Sequence, residues 1–178
     1  MQKTGRHFPR AGARAALACL ATLLALTGLA HAADDGGTGL QVPRFVSLKA
    51  DKVNVRNGPN RDQDVSWVFS RAGLPVEITA EFETWRRIRD AEGSEGWVYH
   101  SMLSGRRTAL VAPWAKGSTV ALHETANGDA RVTAKLEPGV LGTIKSCDGK
   151  WCRFSGPGFD GFIDQGQLWG VYPNEKVD

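Results

Sequence analysis

Two cysteines separated by a short spacer, Cys147 and Cys152, are the residues of this sequence whose type and spacing most clearly indicate a chemical role. They flank a four-residue Asp-Gly-Lys-Trp segment in SCDGKWCRF. If that segment is a loop between two paired strands, the thiols lie opposite each other and within reach of a disulfide. A zinc half-site or a redox motif is the alternative, but the spacing is not Cys-x-x-Cys and no second pair of ligands accompanies it. We therefore expect a structural disulfide and no metal site.

Residues that could support catalysis are few. Beyond residue 32 the histidines are His100 and His123, which fall in segments that do not correspond to each other. The carboxylates Glu81 and Glu83 are close together in a predicted hairpin, with nothing that suggests a cleft. Because no nucleophile is recognisably paired with a base, we expect neither enzymatic activity nor a cofactor.

The first 32 residues have the pattern of a secretory signal peptide. A basic start, MQKTGRHFPRAGAR, precedes the apolar run AALACLATLLALTGLA and the small residues AHA. The apolar run is interrupted at Thr27 and Gly28 and is shorter than the roughly 20 residues of a membrane crossing. We expect cleavage after Ala32, removal of Cys19, and a periplasmic or secreted protein without stable membrane insertion. An oxidising compartment also favours the disulfide.

The charge balance changes when this segment is removed. The whole chain has a net charge of +3, but the segment holds four Lys and Arg and no acidic residue, so its loss lowers Lys and Arg from 22 to 18 against 19 Asp and Glu. The pI of 8.9 therefore gives no support to nucleic-acid binding. The arginines of WRRIRD, which are Arg86, Arg87 and Arg89, alternate between two faces of a predicted strand. We interpret them as solvated strand charges.

The sequence contains an internal repeat of about 66 residues, and this repeat defines the structural elements that position these residues. Its landmarks keep their order and spacing with offsets of 65 to 67: Val53 and Val55 match Val120 and Leu122, Gly73 matches Gly139, Trp85 matches Trp151, GWV at 96–98 matches GFI at 161–163, and Leu103 matches Leu168. Glycine, tryptophan and an apolar pair in the same order are improbable by chance. The chain therefore contains two related units.

Each unit has the pattern of short strands separated by glycine, proline and acidic turns, with no helical periodicity. In the first unit Val53 and Val55 alternate with polar residues, and LPVEITAEF, WRRIRD and GWVY are further strands; in the second they are VLGTIKS, WCRF and GFID. At this length, a small, strongly bent antiparallel barrel removes most exposed sheet edges. The fold class is all-β, with two tandem barrels.

The first unit resembles a bacterial SH3-type domain. The resemblance rests on VNVRNGP, the glycine before the third strand, the Trp-containing strand, and GWV followed by a short polar segment and Leu103. It covers residues 44–104 well and 109–170 more loosely, since the second unit has VALHETA in place of the signature. It implies SH3-like barrels at 44–105 and 109–173, after a linker at 33–43. It also implies a binding or targeting module, often attached to cell-wall enzymes, without catalytic chemistry of its own.

Strand alternation indicates which aromatic residues of the first unit face outward. With Val98 turned inward, Trp97 and Tyr99 face outward, and with Ile88 turned inward, Trp85 lies on the opposite face. These aromatics could bind a ligand, or they could close the end of the barrel or pack against the second unit. The pattern leaves both possibilities open.

The resemblance implies that a peptide groove uses Trp85, Tyr99 and Met102. In domains of this type, a Trp at the start of its strand, an aromatic residue after the inward apolar residue, and a residue of the following turn form a shallow groove. The second unit has Asp164 and Gln167 where the first has Tyr99 and Met102. We therefore expect the first barrel to be the recognition unit.

The repeat also predicts a register. Subtracting 66 from the positions of Cys147 and Cys152 gives Glu81 and Arg86, so opposite charges are expected to face each other across the first hairpin as an exposed ion pair.

These observations together predict an exported, non-catalytic binder of peptidoglycan stem peptides or of an extended protein segment. The alternative is a structural or assembly factor of the envelope, in which the two barrels pack together without a peptide ligand.

Overall fold

A computed structural model describes residues 37–178, and the predicted signal peptide at residues 1–32 lies outside this range. The described chain consists of short strands in two curled sheets, with a one-turn 3₁₀ segment in each. The predicted all-β class with tandem SH3-like barrels is confirmed. No helix within the described range is long and apolar enough to cross a membrane.

The first barrel contains seven of the described strands. They are β1 (Arg44–Leu48), β2 (Val53–Arg56), β3 (Val65–Phe69), β4 (Pro75–Phe82), β5 (Trp85–Arg89), β6 (Glu95–Tyr99) and β7 (Leu103–Ser104), with a 3₁₀ turn at His100–Met102. Their order across the sheet is β3, β2, β6, β5, β4, β1, β7. Strand β2 therefore lies beside β6, although more than 35 residues separate them in the sequence.

The second barrel repeats this arrangement. Its strands are β8 (Thr108–Val111), β9 (Val120–His123), β10 (Val132–Leu136), β11 (Leu141–Asp148), β12 (Trp151–Gly156), β13 (Phe159–Asp164) and β14 (Leu168–Trp169), with a 3₁₀ turn at Gln165–Gln167. The order β10, β9, β13, β12, β11, β8, β14 matches the first sheet strand for strand, and β15 (Lys176–Val177) is added on β11. The internal repeat therefore corresponds to a repeated topology.

Each barrel closes around its own apolar core, as the alternation predicts. Val53 and Val55 are fully buried in the first core, and Leu122, at the position matching Val55, is fully buried in the second. The two cores have these principal members: Leu48, Val53, Val55, Val76, Ile78, Ile88 and Val98 in the first; Val111, Leu122, Ile144, Cys152, Phe154 and Ile163 in the second. Burial of such side chains is the main stabilising contribution to a domain of this size.

The glycines shared by the two units have physical roles. Gly73 and Gly139 both adopt a φ of +79°, a conformation that L side chains rarely tolerate. At Gly96 an added Cβ would lie 2.4 Å from Val55 Cγ1, and at Gly161 it would lie 2.7 Å from the carbonyl oxygen of His123. The glycine of GWV and GFI therefore permits the close approach of β6 to β2 and of β13 to β9.

The hairpin register predicted from the repeat is present in both barrels. Glu81 on β4 is directly opposite Arg86 on β5, and Cys147 on β11 is directly opposite Cys152 on β12. In both hairpins a bulge precedes the pair, between Ile78 and Ala80 in the first and at the matching positions in the second. The predicted disulfide is confirmed, since Cys147 and Cys152 are bonded.

The solvent exposure expected for Arg86 is wrong. Its side chain is 6% exposed and its Nε atom lies 3.1 Å from Glu81 Oε1, while Nη1 donates to the carbonyl oxygens of Glu83 and Trp85 at 2.8 and 2.7 Å. Arg86 shares the inward side of β5 with Ile88, and both residues are buried. Its neighbours Arg87 and Arg89 are partly exposed, as expected.

Glu81 is the centre of this buried network. It also accepts hydrogen bonds from the Arg44 guanidinium and from the backbone N–H and hydroxyl of Thr38. Burial alone would raise the pKa of the Glu81 carboxyl, but these hydrogen bonds outweigh it and lower the pKa to about 2. The carboxylate therefore fixes the segment before β1 onto the β4–β5 hairpin.

The two barrels also pack against each other. Phe45 of β1 contacts Trp169 edge to face at 5.1 Å between ring centroids and Tyr172 at 4.8 Å. The Tyr172 hydroxyl donates to Glu77 Oε1 at 2.8 Å, and Thr108 Oγ1 donates to the carbonyl oxygen of Gly73 at 2.7 Å. Glu77 is 2% exposed. The interface therefore combines an aromatic cluster with a buried, hydrogen-bonded carboxylate.

Candidate binding site

A shallow depression of about 320 Å³ lies on the outer surface of the first barrel, and Trp85, Tyr99 and Met102 line it together. The remaining lining residues are Lys52, Asn54, Arg56 and Arg61. The three residues that the resemblance assigns to a groove therefore share one surface, and that surface also carries three cations.

Strand pairing positions the aromatic part of the depression. Trp85 begins β5 and is directly opposite Tyr99, which ends β6. Their rings pack edge to face, with centroids 5.6 Å apart, a favoured geometry for aromatic pairs. Tyr99 is half-buried, whereas Trp85 is 6% exposed. Trp85 therefore forms the floor of the depression, and Tyr99 presents most of the accessible aromatic surface.

Met102 and Trp97 have different positions relative to this floor. Met102 ends the 3₁₀ turn after β6, and its carbonyl oxygen accepts a hydrogen bond from the backbone N–H of Lys49 at 2.8 Å, which holds the turn in place. Trp97 faces the same side of β6 as Tyr99 and is directly opposite Arg56 and Arg87. It is half-buried and is not among the side chains that line the depression.

The cations of the depression come from β2 and from the segments directly before and after it. Lys52, directly before β2, and Asn54 on β2 are exposed, and Arg56 ends that strand with its Nη1 atom donating to the carbonyl oxygen of Gln63 at 2.6 Å. The Arg61 guanidinium carbon lies 5.5 Å from the centre of the Tyr99 ring, which is a cation–π distance. Alternation in VNVR indicated that Asn54 and Arg56 face outward, but it did not indicate that they line one depression with Tyr99.

The loop that carries Arg61 is held by its own hydrogen bonds. Asn60 Oδ1 accepts from the backbone N–H groups of Asp62 and Gln63 at 2.8 and 3.0 Å. The Asn57 N–H donates to the carbonyl oxygen of Asp64 at 3.1 Å. Such side-chain to backbone bonds define a tight polar turn, so Arg61 extends over Tyr99 from a loop of fixed shape.

The matching surface of the second barrel has different chemistry. Trp151 is directly opposite Asp164, as Trp85 is opposite Tyr99. The Trp151 ring packs edge to face on His123 at 5.5 Å, and Asp164 accepts a hydrogen bond from the Gly166 N–H at 2.8 Å. The tryptophan is thus retained, but a carboxylate replaces the phenol ring and a histidine stands where the first barrel has Arg56.

A second groove, of about 510 Å³, lies between the barrels. The aromatic cluster of Phe45, Trp169 and Tyr172 forms one part of its wall, and Trp114, which is 58% exposed, lies at its edge. It shares no lining residue with the depression on the first barrel. The sequence did not indicate this groove, because its walls come from both units.

The residues considered for catalysis are not arranged as a catalytic group. His100 packs beside the Tyr99 ring at the surface, and the Nδ1 atom of His123 is hydrogen-bonded to the carbonyl oxygen of Ala130 at 3.0 Å. Glu81 is held in its ion pair, and Glu83 is an exposed turn residue. Within residues 37–178, no three His, Cys, Asp or Glu side chains cluster closely enough to hold a metal ion.

Comparison with known proteins gives a family for both units. Residues 49–105 and 116–170 each match the bacterial SH3 domain. A curated relative, probable chorismate pyruvate-lyase 2 of Pseudomonas fluorescens (strain Pf0-1), is 29% identical over 102 residues, which cover 47% of this chain and 54% of the relative. This chain therefore spans about half the length of that relative.

Solved structures with a similar arrangement include two proteins of Trichomonas vaginalis. NlpC2 aligns with 73% of this chain and 49% of its own, and NlpC1 with 75% and 48%; both are 14% identical with a TM-score of 0.33. This chain spans about half the length of either protein. At this score the likeness supports no inference about function.

Proposed function

Because the chain belongs to the bacterial SH3 domain family, we propose that it is a non-catalytic binding module of the cell envelope. Its ligand is a peptidoglycan stem peptide, recognised in the depression of the first barrel. The observation that carries this proposal is the convergence of Trp85, Tyr99 and Met102 on one accessible surface, since flat aromatic surfaces offer a large contact area at low entropic cost.

The size of the depression suits a short peptide. Its volume of about 320 Å³ is at the lower end of the roughly 300–1,000 Å³ range of ligand sites. A few residues of extended peptide can lie across Tyr99 and Met102, but a folded partner domain cannot enter. An extended segment of another protein has similar dimensions, and comparison of the two ligands is part of the test below.

The absence of catalysis belongs to the same proposal. Cys147 and Cys152 are joined in a disulfide, and His100 and His123 contact neighbours at two separate places on the surface. Domains of this family are typically non-catalytic. We therefore extend neither the activity named for the curated relative nor any other enzymatic reaction to this chain.

The alternative proposal is a structural or assembly factor, and the packing of the two barrels favours it. Phe45, Glu77 and Tyr172 form a well-packed interface. The aromatic contacts and hydrogen bonds between the barrels given above do not involve Tyr99 or Met102. Barrel packing therefore leaves the proposed binding surface accessible, and both roles can coexist in one molecule.

Co-sedimentation with purified peptidoglycan, followed by titration with a soluble stem peptide, tests the binding proposal. Tyr99→Ala should weaken binding about thirtyfold, as expected for loss of a central anchor worth about 2 kcal/mol. Trp151→Ala is the matched control in the second barrel and should bind as the wild type does. A wild-type affinity for Tyr99→Ala, or binding only to an extended protein segment, would contradict the proposed ligand.

Trp85→Ala is a less suitable variant for this purpose. Trp85 is 6% exposed, and truncation of a buried tryptophan costs about 3–5 kcal/mol of stability. We expect Trp85→Ala to lower the unfolding midpoint as well as the affinity, so its binding must be compared with the fraction folded. Tyr99, which is half-buried, separates the two effects better.

We also propose that the protein is exported to the periplasm or secreted, with residues 1–32 removed. The basic, apolar and small-residue regions of that segment support this localisation. Intact-mass analysis of the protein recovered from its native host should give a chain that begins ADDGG. Recovery of the full precursor in the membrane fraction would contradict the proposal.

A further inference from the structure

The depression on the first barrel holds three cations that have no ionic partner in the part of the chain that the structure describes. Lys52, Arg56 and Arg61 make no ion pair within residues 37–178, and no carboxylate lines the depression. Most other arginines of the described chain do contact a carboxylate: Arg44, Arg86, Arg87, Arg89, Arg107, Arg131 and Arg153. Most arginines of the described residues are thus paired with a carboxylate, and those of the depression are not.

The two arginines are held in position without an ionic partner. Arg56 donates through Nη1 to the carbonyl oxygen of Gln63, which leaves most of its five N–H donors free. Arg61 lies over the Tyr99 ring. The acids nearest in sequence, Asp62 and Asp64, belong to the same loop but do not line the depression. A guanidinium held in this way loses little further freedom when it binds an anion.

The second barrel provides an internal comparison. The positions matching Arg56 and Tyr99 are His123 and Asp164, and Ala121 stands where the first barrel has Asn54. The same architecture therefore carries a negative charge beside its tryptophan. The positive charge of the first depression is a property of that surface and not of the barrel fold.

We infer that the depression recognises its peptide through a carboxylate. The carboxylate binds to Arg56 and Arg61, with Lys52 adding positive charge, while the apolar part of the same peptide lies on Tyr99 and Met102. Charge-assisted hydrogen bonds from a guanidinium to a carboxylate are about twice as strong as neutral ones and fix the orientation of the ligand. This inference rests on the proposed function, since both use the same surface, and it adds the chemical group that the surface selects.

Two forms of one stem peptide test the inference, one with its carboxyl groups free and one with them amidated. Isothermal titration of the whole protein should give an affinity at least tenfold weaker for the amidated form. Raising the salt concentration from about 0.05 to 0.5 M should weaken binding of the free-carboxyl form alone, since salt screens partly exposed charges.

Substitutions in the depression test which side chains are responsible for the preference for the free-carboxyl peptide. The double variant Arg56→Gln with Arg61→Gln should bind both peptide forms equally weakly. Arg71→Gln is the matched control, because Arg71 is exposed, makes no ion pair within the described chain and lies outside the depression. It should keep the wild-type preference. Circular dichroism checks the fold, and Lys52→Gln, with a smaller loss of the same kind, replaces the double variant if that variant does not fold.

The outcomes separate this inference from the proposed function. Equal affinity for the two peptide forms, lost in Tyr99→Ala, would overturn the carboxylate inference and leave the peptide-binding proposal standing. A carboxylate preference that survives in the double variant would also overturn the inference. If neither form binds, both the carboxylate inference and the peptide-binding proposal are overturned.

Discussion

Glu81 and Arg86 face each other across the β4–β5 hairpin at the repeat positions that Cys147 and Cys152 occupy across the β11–β12 hairpin. In the first barrel the cross-strand pair is a buried ion pair with a 3.1 Å separation. In the second it is a covalent bond. Both pairs follow a bulge that reverses which side of the strand faces the core. The same structural position is therefore closed by electrostatic attraction in one unit and by a disulfide in the other.

The equivalence predicts that a second disulfide can be introduced. Replacing Glu81 and Arg86 together by cysteine should give a bonded pair, because the two backbones have the same opposed register as Cys147 and Cys152. Removing both members of a buried ion pair costs much less than removing one. Thiol titration of the denatured, unreduced protein should detect no free cysteine at these positions. Glu81→Cys alone should give one free thiol, and persistent thiols in the double variant would contradict the register.

The Glu81 carboxylate should make stability depend on pH in the acid range. Its pKa is lowered to about 2, because hydrogen bonds from Arg44 and Thr38 outweigh the burial that would raise it. A lowered pKa contributes stability above the ordinary value of about 4.5, and that contribution is lost as the pH falls toward 2.

Urea denaturation of the wild type and of Glu81→Gln between pH 7 and pH 2 measures this contribution. The wild type should be the more stable protein at pH 7, and the difference should shrink as the pH falls from about 4.5 to about 2. Glu83→Gln is the control, since Glu83 is exposed in the adjacent turn. A difference that stays constant with pH would exclude the carboxylate charge as the source.

The disulfide should contribute to the stability of the second barrel. Closing the short loop between Cys147 and Cys152 restricts the unfolded chain, which is worth about 2 kcal/mol. Reduction should therefore lower the unfolding midpoint. Alkylation of the denatured protein without reductant, followed by peptide mass analysis, should find neither cysteine modified. Complete alkylation in the absence of reductant would contradict the bond.

The contact between Tyr172 and Glu77 should couple the two barrels. Tyr172→Phe removes the hydrogen bond to Oε1 of Glu77, which is 2% exposed, while Arg89 still donates to Oε2. A buried carboxylate oxygen that loses its partner costs about 1–3 kcal/mol. Burial and the neighbouring Glu77 also raise the pKa of the Tyr172 hydroxyl, so it remains a donor across the neutral range. Chemical denaturation should show the variant to be less stable by this amount.

The other tyrosine of the chain is a matched control for that variant. Tyr99 makes ring contacts in the depression, and the structure gives its hydroxyl no hydrogen-bond partner within residues 37–178. Tyr99→Phe should therefore unfold at the wild-type denaturant concentration. Equal stability of Tyr172→Phe and the wild type would mean that the interface does not depend on this bond.

The sequence alone determined the features that depend on residues close together in the chain. Alternation placed Val53 and Val55 in the core, and the spacing of glycine and tryptophan defined two units with one strand order. The same repeat gave the opposed pairs in both hairpins. These features follow from local periodicity and turn chemistry, which act within a few residues of the chain.

Only the tertiary structure decided which outward-facing residues share a surface. Alternation assigns a side of a strand, so it treated Trp97 and Tyr99 alike, yet only Tyr99 lines the depression. It also could not show the burial of Trp85 and Arg86, which depends on barrel closure. The depression forms because β2 pairs with β6, and Arg61 of the loop after β2 lies over Tyr99, which is more than 35 residues away in the sequence. Such long-range pairing is fixed by the packing of the whole barrel and leaves no local pattern in the sequence.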